Sequence, residues 1–362
     1  MSGLFLVAVP GLEGPLEDEA RGLGFDGVRR VAGGVEVDGG LAEAARANVE
    51  MRCAVRVLAR VAEFRAMHLA QLDKRSKKVA WREWLRDDVP VKVEATCRKS
   101  KIYVNKAAVQ RVEGGLKAAG VPVSKEAEIV VKVRINDDLC TISLDMTGEA
   151  LHRRGHKEFV GKAPLRETMA AGFLRVMGFD GTQAVVDPMC GSGTFVLESA
   201  EIAAGLIPGR SRTFAFERMA GGADAYLRNK DGQCGASRGT RFFGFDRNDG
   251  AIRGARGNAE RAGVAELVAF ERAAISDLVP PEGVAPGIVM VNPPYGGRIG
   301  DRKLLFGLYG ALGGVLAEKF GGWRVGIVTS DGGLAKATGL TLEAFGPVDH
   351  SGTKVNLYHA QL

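Results

Sequence analysis

Two short stretches carry residue types that could do chemistry together. They are Asp187-Pro188-Met189-Cys190-Gly191-Ser192-Gly193-Thr194 and Asn292-Pro293-Pro294-Tyr295. An exocyclic amine on a nucleobase is a weak nucleophile, because its lone pair is conjugated with the ring. Asn292 can accept a hydrogen bond from such an amine through its side-chain oxygen, and the carbonyl of Pro293 can accept the other amine proton. Both acceptors favour the positive charge that develops on nitrogen as it attacks a methyl group. Tyr295 offers a face on which the base can stack. No general base is required before the transfer, and the first stretch then seats the methyl donor.

The elements around these stretches are expected to place them together. Ala184 to Asp187 is an apolar run that reads as a strand, and Phe195 to Ala204 reads as a helix. The order is strand, glycine turn, helix N-terminus. Gly191 and Gly193 let the chain turn sharply and let a ligand approach, and the helix start offers free N–H groups at its positive end. Gly287 to Val291 is a second continuous apolar run, a buried strand. The two prolines after it resist helix, so that loop should be stiff. Both stretches then lie at C-terminal ends of strands, where open α/β sheets bind ligands. Phe242 to Asp246 reads as another strand ending in an acid, which could accept both ribose hydroxyls of a nucleoside. A dinucleotide fingerprint fails, since Val196 stands where its third glycine belongs. Asp246 also lies 59 residues after Asp187 rather than roughly 20. Gly155 to Ala163 has the wrong spacing for a phosphate-binding loop and lacks its Ser or Thr.

The chain has 362 residues, 46% of them hydrophobic, enough for two or three domains with full cores. Its net charge of +6 favours a nucleic-acid partner modestly. Five cysteines without a C-x-x-C spacing suggest neither a disulfide framework nor a zinc site, and fit a reducing cytoplasm. No metal site is expected: His152 and His156 are four apart, but Gly155 interrupts them, and they read as a surface pair. The first residues lack the pattern of a signal peptide, and no apolar run is long enough to span a membrane.

In chain order, residues 1–62 read as β-α-β-β-α-β, a ferredoxin-like layout. Residues 63–150 read as a second α+β module. A helix over Leu69 to Val79 carries Lys74, Arg75, Lys77 and Lys78. A strand over Val91 to Thr96 leads through a basic loop, Arg98 to Lys101, into a helix over Val104 to Ala118. Two further strands flank an Asn136-Asp137-Asp138 turn. Residues 151–182 read as a linker and a helix, and residues 183–362 as an α/β domain. Asn248 is placed to cap a helix running to Ala262. The stretch from Pro208 to Arg241 is rich in glycine and arginine and reads either as a substrate-facing insertion or as a solvated excursion.

Asp187 to Thr194 followed by Asn292 to Tyr295 resembles the class I, S-adenosylmethionine-dependent RNA methyltransferases that carry an N-terminal THUMP domain. Nearest among them are the enzymes that methylate guanine N2 in 23S rRNA or tRNA. The resemblance covers nearly the whole chain. It implies a Rossmann-like methyltransferase domain preceded by ferredoxin-like and THUMP modules, a late antiparallel strand over Thr353 to Tyr358, and S-adenosylmethionine as cofactor. Asp187, Gly191, Ser192, Gly193 and Thr194 would seat the methionine end of the donor. Asp246 would hold its ribose and Asp277 its adenine, with Asn292 bordering the donor as well. Asn292, Pro293 and Tyr295 would act on the amine. The segment with Pro164 and Glu167 precedes the donor site in such enzymes and either touches the donor or is a purely structural cap.

A THUMP module docks RNA, which makes Arg98, Lys99, Lys101 and Lys106 candidates for phosphate contacts, with Arg298 a further one. Each taken alone reads sooner as a solvated surface charge, and it is as a patch that they point to RNA. The expected partner is RNA, and the expected state is a monomer. The composition, rich in Ala, Gly and Arg, tips the RNA toward 23S rRNA over tRNA. Adenine-N6 methylation uses the same loop and is the alternative reaction. A non-catalytic RNA-binding factor is the alternative class.

Overall fold

The computed structural model of the chain describes residues 3–161, 164–220, 241–296 and 302–362. The described residues fall into two compact units. The first strand and Glu17–Leu151 build one, which also takes the stretch from Arg212. Val9–Leu16, His152–Ser211 and the C-terminal part build the other.

The first unit holds one seven-stranded sheet, in the order β2-β3-β1-β4-β7-β6-β5. Its strands are β1 (Gly3–Val7), β2 (Arg29–Val31), β3 (Gly34–Asp38), β4 (Arg56–Arg65), β5 (Val91–Arg98), β6 (Ile129–Asn136) and β7 (Leu139–Asp145). The ten-residue β4 pairs with β1 on one side and β7 on the other, so one sheet runs through both α+β segments. Its helices include α1 (Glu13–Gly22), which begins in the second unit, α2 (Leu41–Glu50), α3 (Leu69–Ser76) and α4 (Asn105–Ala118). β6 and β7 meet through Asp137 and Asp138, at φ 52° and 58°. Such a turn matches the right-handed twist of the paired strands, and Asp tolerates its positive φ.

The second unit is a sheet in the order β10-β9-β8-β11-β12-β14-β13. Its strands are β8 (Val185–Asp187), β9 (Phe242–Asp246), β10 (Val268–Arg272), β11 (Ile288–Val291), β12 (Arg324–Thr329), β13 (Glu343–His350) and β14 (Thr353–Gln361). β8 to β12 are parallel, and β14 runs antiparallel to β12, as expected. The helices are α5 (Glu167–Val176), α6 (Thr194–Ala203), α7 (Asp249–Ala262), α8 (Arg302–Lys319) and α9 (Gly332–Ala337). This is the doubly wound, Rossmann-like arrangement, and its strand order reverses between β8 and β11. Ligands bind at such a reversal, where the C-terminal ends of adjacent strands splay.

β11 reads Ile-Val-Met-Val and is buried throughout, as a strand covered by helices on both faces must be. Val289 and Val291 pack with Leu312, Leu316, Phe320, Trp323, Val325 and Ile327 in one apolar cluster. Asn248 caps α7, its Oδ1 accepting from the Ala251 N–H at 3.2 Å, and Gly263 at φ 72° ends that helix. α5 begins at Glu167, so Pro164 stands before the helix.

Candidate active site

β8 ends at Asp187, and the chain turns through Gly191 (φ 53°) and Gly193 (φ 83°) into α6. The turn is tight because a ring lies against it. A Cβ at Gly193 would come within 2.9 Å of Phe270, and one at Gly244 in β9 within 2.4 Å of the same ring. At Gly191 a Cβ would meet nothing within 4 Å, so the outer side of the turn is open.

Backbone donors tie the turn to the next strand. The Cys190 N–H donates to the Phe245 carbonyl at 2.8 Å, and the Gly191 N–H to Oδ2 of Asp246 at 3.0 Å. Oδ1 of Asp246 accepts from the Asn248 N–H at 2.8 Å. Half-buried Asp246 thereby joins the turn to the start of α7. Asp187 is 3% exposed, and Oδ1 accepts from the Met189 N–H at 3.0 Å. Burial pushes its carboxyl up to about 8; the Met189 N–H opposes the rise, and nearby Asp246 adds to it.

The sign of that shift gives a pH dependence. Between the ordinary carboxylate range and about pH 8, the folded chain keeps a proton on Asp187 that the unfolded chain has released. Stability should therefore fall as pH rises through this window, at up to about 1.4 kcal/mol per pH unit from this one group. Asp187→Asn should flatten that part of the profile. Thermal melting of the donor-free protein from pH 5 to 8 checks it, and identical profiles for both proteins would exclude the effect.

The second loop emerges beside the first. β11 pairs in parallel with β8, so Asn292 leaves the sheet at the same edge as Asp187. Asn292, Pro294 and Tyr295 are half-buried and Pro293 is buried. Tyr309 of α8, 0% exposed, donates from its hydroxyl to the Pro294 carbonyl at 3.4 Å. The hydroxyl of Tyr295 lies 3.0 Å from Nδ1 of His350 at the end of β13. Asp277 follows β10 in a short 3-10 turn, exposed, with Ser276 donating to its carboxylate at 3.0 Å. Asp187, the glycine turn, Asp246, Asp277 and the Asn292 loop thus share one edge of the sheet.

Three residues near the turn escaped the sequence reading. Lys157, about 10% exposed in its side chain, donates from Nζ to Oγ1 of Thr194 at 2.8 Å and pairs with Glu167 at 2.9 Å. Asn258 of α7, 0% exposed, donates from Nδ2 to the Ser192 carbonyl at 3.1 Å and to the Phe159 carbonyl at 3.0 Å. Its Oδ1 accepts from the Glu158 and Phe159 N–H groups. The segment before α5 is thereby stapled to the glycine turn. His350 is the third.

His156 corrects an expectation. It is 5% exposed rather than superficial, and its Nε2 lies 2.8 Å from Glu201. Arg210 reaches the same carboxylate at 2.9 Å, and Arg154 pairs with Glu198 at 3.2 Å, both side chains 1% exposed. Breaking such a buried pair on one side costs about 3–5 kcal/mol. His152 is half-buried, and its imidazole is pushed down to about 4 by burial and by Arg166, Arg153, Arg154 and Lys157. Arg210 and Arg241 serve the fold of their own unit, Arg241 donating to the Thr182 carbonyl at 3.2 Å.

Arg98, Lys99, Lys101 and Lys106 are all exposed on the first unit. Their loop is held firmly. Ser100 Oγ donates to the Arg98 carbonyl at 2.6 Å, and the Lys101 N–H to Asp138 at 2.8 Å. Between the basic residues Tyr103 is 79% exposed, with Val104 beside it at 47%. Arg298 lies outside the described residues, as does the part of the expected insertion over 221–240. No helix among the described residues is long and apolar enough to cross a membrane.

Comparison with known proteins places this geometry. Residues 154–345 match the family model described as RMKL-like, methyltransferase domain, and residues 3–58 match the RlmL ferredoxin-like domain. The chain is 32% identical over 360 residues to the ribosomal RNA large subunit methyltransferase K/L of Psychromonas ingrahamii, covering 94% of this chain and 47% of that protein. It spans about half the length of the curated relatives of that name. The SMU.472 protein, a methyltransferase candidate solved in complex with SAH, superposes with a TM-score of 0.87 at 25% identity, covering 99% of this chain and 97% of that one. A predicted N6-adenine-specific DNA methylase from Listeria monocytogenes gives 0.85 at 27%, covering 99% and 96%.

Proposed function

Because this chain belongs to the RMKL-like methyltransferase-domain family, we propose that it methylates the exocyclic N2 amine of a guanine in structured RNA, the best-supported substrate being 23S rRNA. The observation that carries the reading is the emergence of the Asn292 loop beside the glycine turn, across the strand-order reversal of the sheet. The name of the Psychromonas relative supports ribosomal RNA.

S-adenosylmethionine is the cofactor, and the residues present fit it. A buried carboxyl at Asp187 that resists ionisation, with a second carboxylate nearby, suits a ligand that brings positive charge. The open side of Gly191 leaves room for its close approach. When bound, the cofactor supplies an electrophilic methyl group on a cationic sulfur. Asp187, Gly191, Ser192, Gly193 and Thr194 hold its methionine end, Asp246 its ribose and Asp277 its adenine, with Asn292 at its border. The side-chain oxygen of Asn292 and the carbonyl of Pro293 accept the two amine protons, and Tyr295 stacks on the extruded base. Positioning and electrostatics supply the rate, because no proton need leave before transfer.

The division of labour follows the chain. Residues 1–62 are a ferredoxin-like scaffold, 63–150 the RNA-docking module, 151–182 the strap, and 183–362 the transfer domain. Arg98, Lys99, Lys101 and Lys106 contact phosphate, with Arg298 a further candidate. Exposed Tyr103 adds a stacking face for an unpaired base. Changing Lys99 and Lys101 together to Glu should weaken RNA binding and reduce its dependence on salt. Losing two phosphate contacts should lower the slope of log affinity against log salt by roughly 1.5. Donor affinity should not change. Filter binding with transcribed 23S rRNA at several salt concentrations reads this, and an unchanged slope removes the patch from the account.

The name of the Listeria structure favours a second reading, adenine-N6 methylation, since both amines are planar NH₂ groups served by one loop. Nucleoside mass spectrometry of separated rRNA and tRNA, with and without the gene, decides. Loss of N2-methylguanosine from rRNA supports the proposal, and its loss from tRNA moves the substrate. Loss of N6-methyladenosine overturns the base. No change in any methylated nucleoside, together with no donor binding in calorimetry, would leave an RNA-binding factor.

A further inference from the structure

The hydrogen bonds of His350 form a chain with one consistent arrangement. Nε2 lies 3.2 Å from the Pro164 carbonyl, which can only accept. Nε2 therefore carries the proton. In the neutral ring Nδ1 is then an acceptor, and the hydroxyl of Tyr295, 3.0 Å away, must be its donor. His350 is half-buried. Its charged form is disfavoured first by burial; the Pro164 carbonyl opposes this, Arg166 adds to it more weakly, and Asp349 opposes it least. The neutral state and this tautomer agree.

The next carbonyl along the chain makes the connection informative. Leu165, adjacent to Pro164, accepts from Oγ1 of Thr194 at 3.4 Å. Thr194 closes the glycine turn, and Tyr295 closes the amine loop. Two consecutive carbonyls thus take one hydrogen bond from the donor side and one, through His350, from the acceptor side. Arg166, the residue after them, donates to Ser351 Oγ at 3.2 Å, holding the same segment to the residue after His350.

We propose that His350 is a positioning residue of the transfer site, fixing the ring of Tyr295 relative to the glycine turn through the Pro164–Leu165 segment. The functional part of this statement rests on the methyltransferase reading; the hydrogen-bond chain does not. Without His350 the Tyr295 ring keeps its stacking face but loses its fixed orientation. The consequence falls on the alignment of the amine with the methyl group, hence on kcat more than on KM for RNA or on donor affinity.

The chain of hydrogen bonds is tested first, without RNA. The protein has five histidines, and ¹⁵N-imidazole NMR of selectively labelled protein, with His350→Gln for assignment, reads each tautomer. His350 should be protonated at Nε2 only. Tyr295→Phe should shift its Nδ1 resonance toward that of an unbonded nitrogen and leave Nε2 in place. A proton on Nδ1, or no response to Tyr295→Phe, overturns the inference.

Its functional part is then read from single-turnover transfer to transcribed 23S rRNA by the wild type, Tyr295→Phe, His350→Gln and the double variant. Each single change should slow transfer roughly five- to tenfold, the loss of one hydrogen bond. The double should be no slower than the slower single, because His350 acts through the Tyr295 hydroxyl. Multiplying effects, or a His350 variant slowed only in step with a lowered melting temperature, would make His350 merely structural. Absence of transfer by the wild type to any RNA pool would instead sink the methyltransferase reading and leave the NMR result standing.

Discussion

Asn292→Ala is expected to slow methyl transfer by about 10²–10³-fold while the affinity for S-adenosylmethionine stays near its wild-type value. Asn292 follows the last residue of β11, a strand without solvent exposure, and its loop is braced by the Tyr309 hydroxyl on the Pro294 carbonyl. A side chain so placed needs little reorganisation at the moment of transfer, which is what gives a preorganised acceptor its effect. Alanine removes the acceptor without touching the prolines that shape the loop. Single-turnover assays separate this from binding, with donor affinity measured by calorimetry. Turnover at the wild-type rate would withdraw the role assigned to Asn292.

Asp246→Ala is expected to weaken donor binding by roughly 100-fold or more, because two charge-assisted hydrogen bonds of about 1.5–3 kcal/mol each are lost together. In the donor-free protein this carboxylate already accepts from the N–H groups of Gly191 and Asn248. The same change therefore loosens the glycine turn and removes the partner assigned to the ribose. Asp246→Asn keeps an acceptor oxygen but loses the charge and should fall between the two. RNA affinity should hold for both variants, since Asp246 is assigned to the donor and no RNA contact is assigned to it. Calorimetry with S-adenosylmethionine reads the result, and unchanged affinity in the alanine variant would place the ribose elsewhere.

Much of the fold was legible because the strands of the second unit are short apolar runs closed by turn residues. Val185 to Asp187, Phe242 to Asp246 and Ile288 to Val291 stand out in this way, and each ends in, or is followed directly by, the polar residue to which a role was given. The final strand was different. Thr353–Gln361 is only partly alternating in its burial, and its antiparallel place beside β12 followed from resemblance rather than periodicity. His156 misled for a related reason. A histidine between Gly and Lys reads as surface, and only the arrival of Glu201 from α6 gives it a buried partner.

The amino-acid sequence by itself determined the candidate residue types, their places after strands, the glycine turn and the class of fold. These are local properties, set by hydrophobic period, by proline and glycine, and by what a side chain can donate or accept. Tertiary structure alone decided that β4 joins both N-terminal segments in one sheet. It also decided that Lys157 and Asn258 staple the strap to the turn and that His350 meets Tyr295. Those contacts join residues 37 to 66 positions apart. A lone polar side chain carries no periodic signal of its partner, and which strand lies beside which is settled only when the whole core packs.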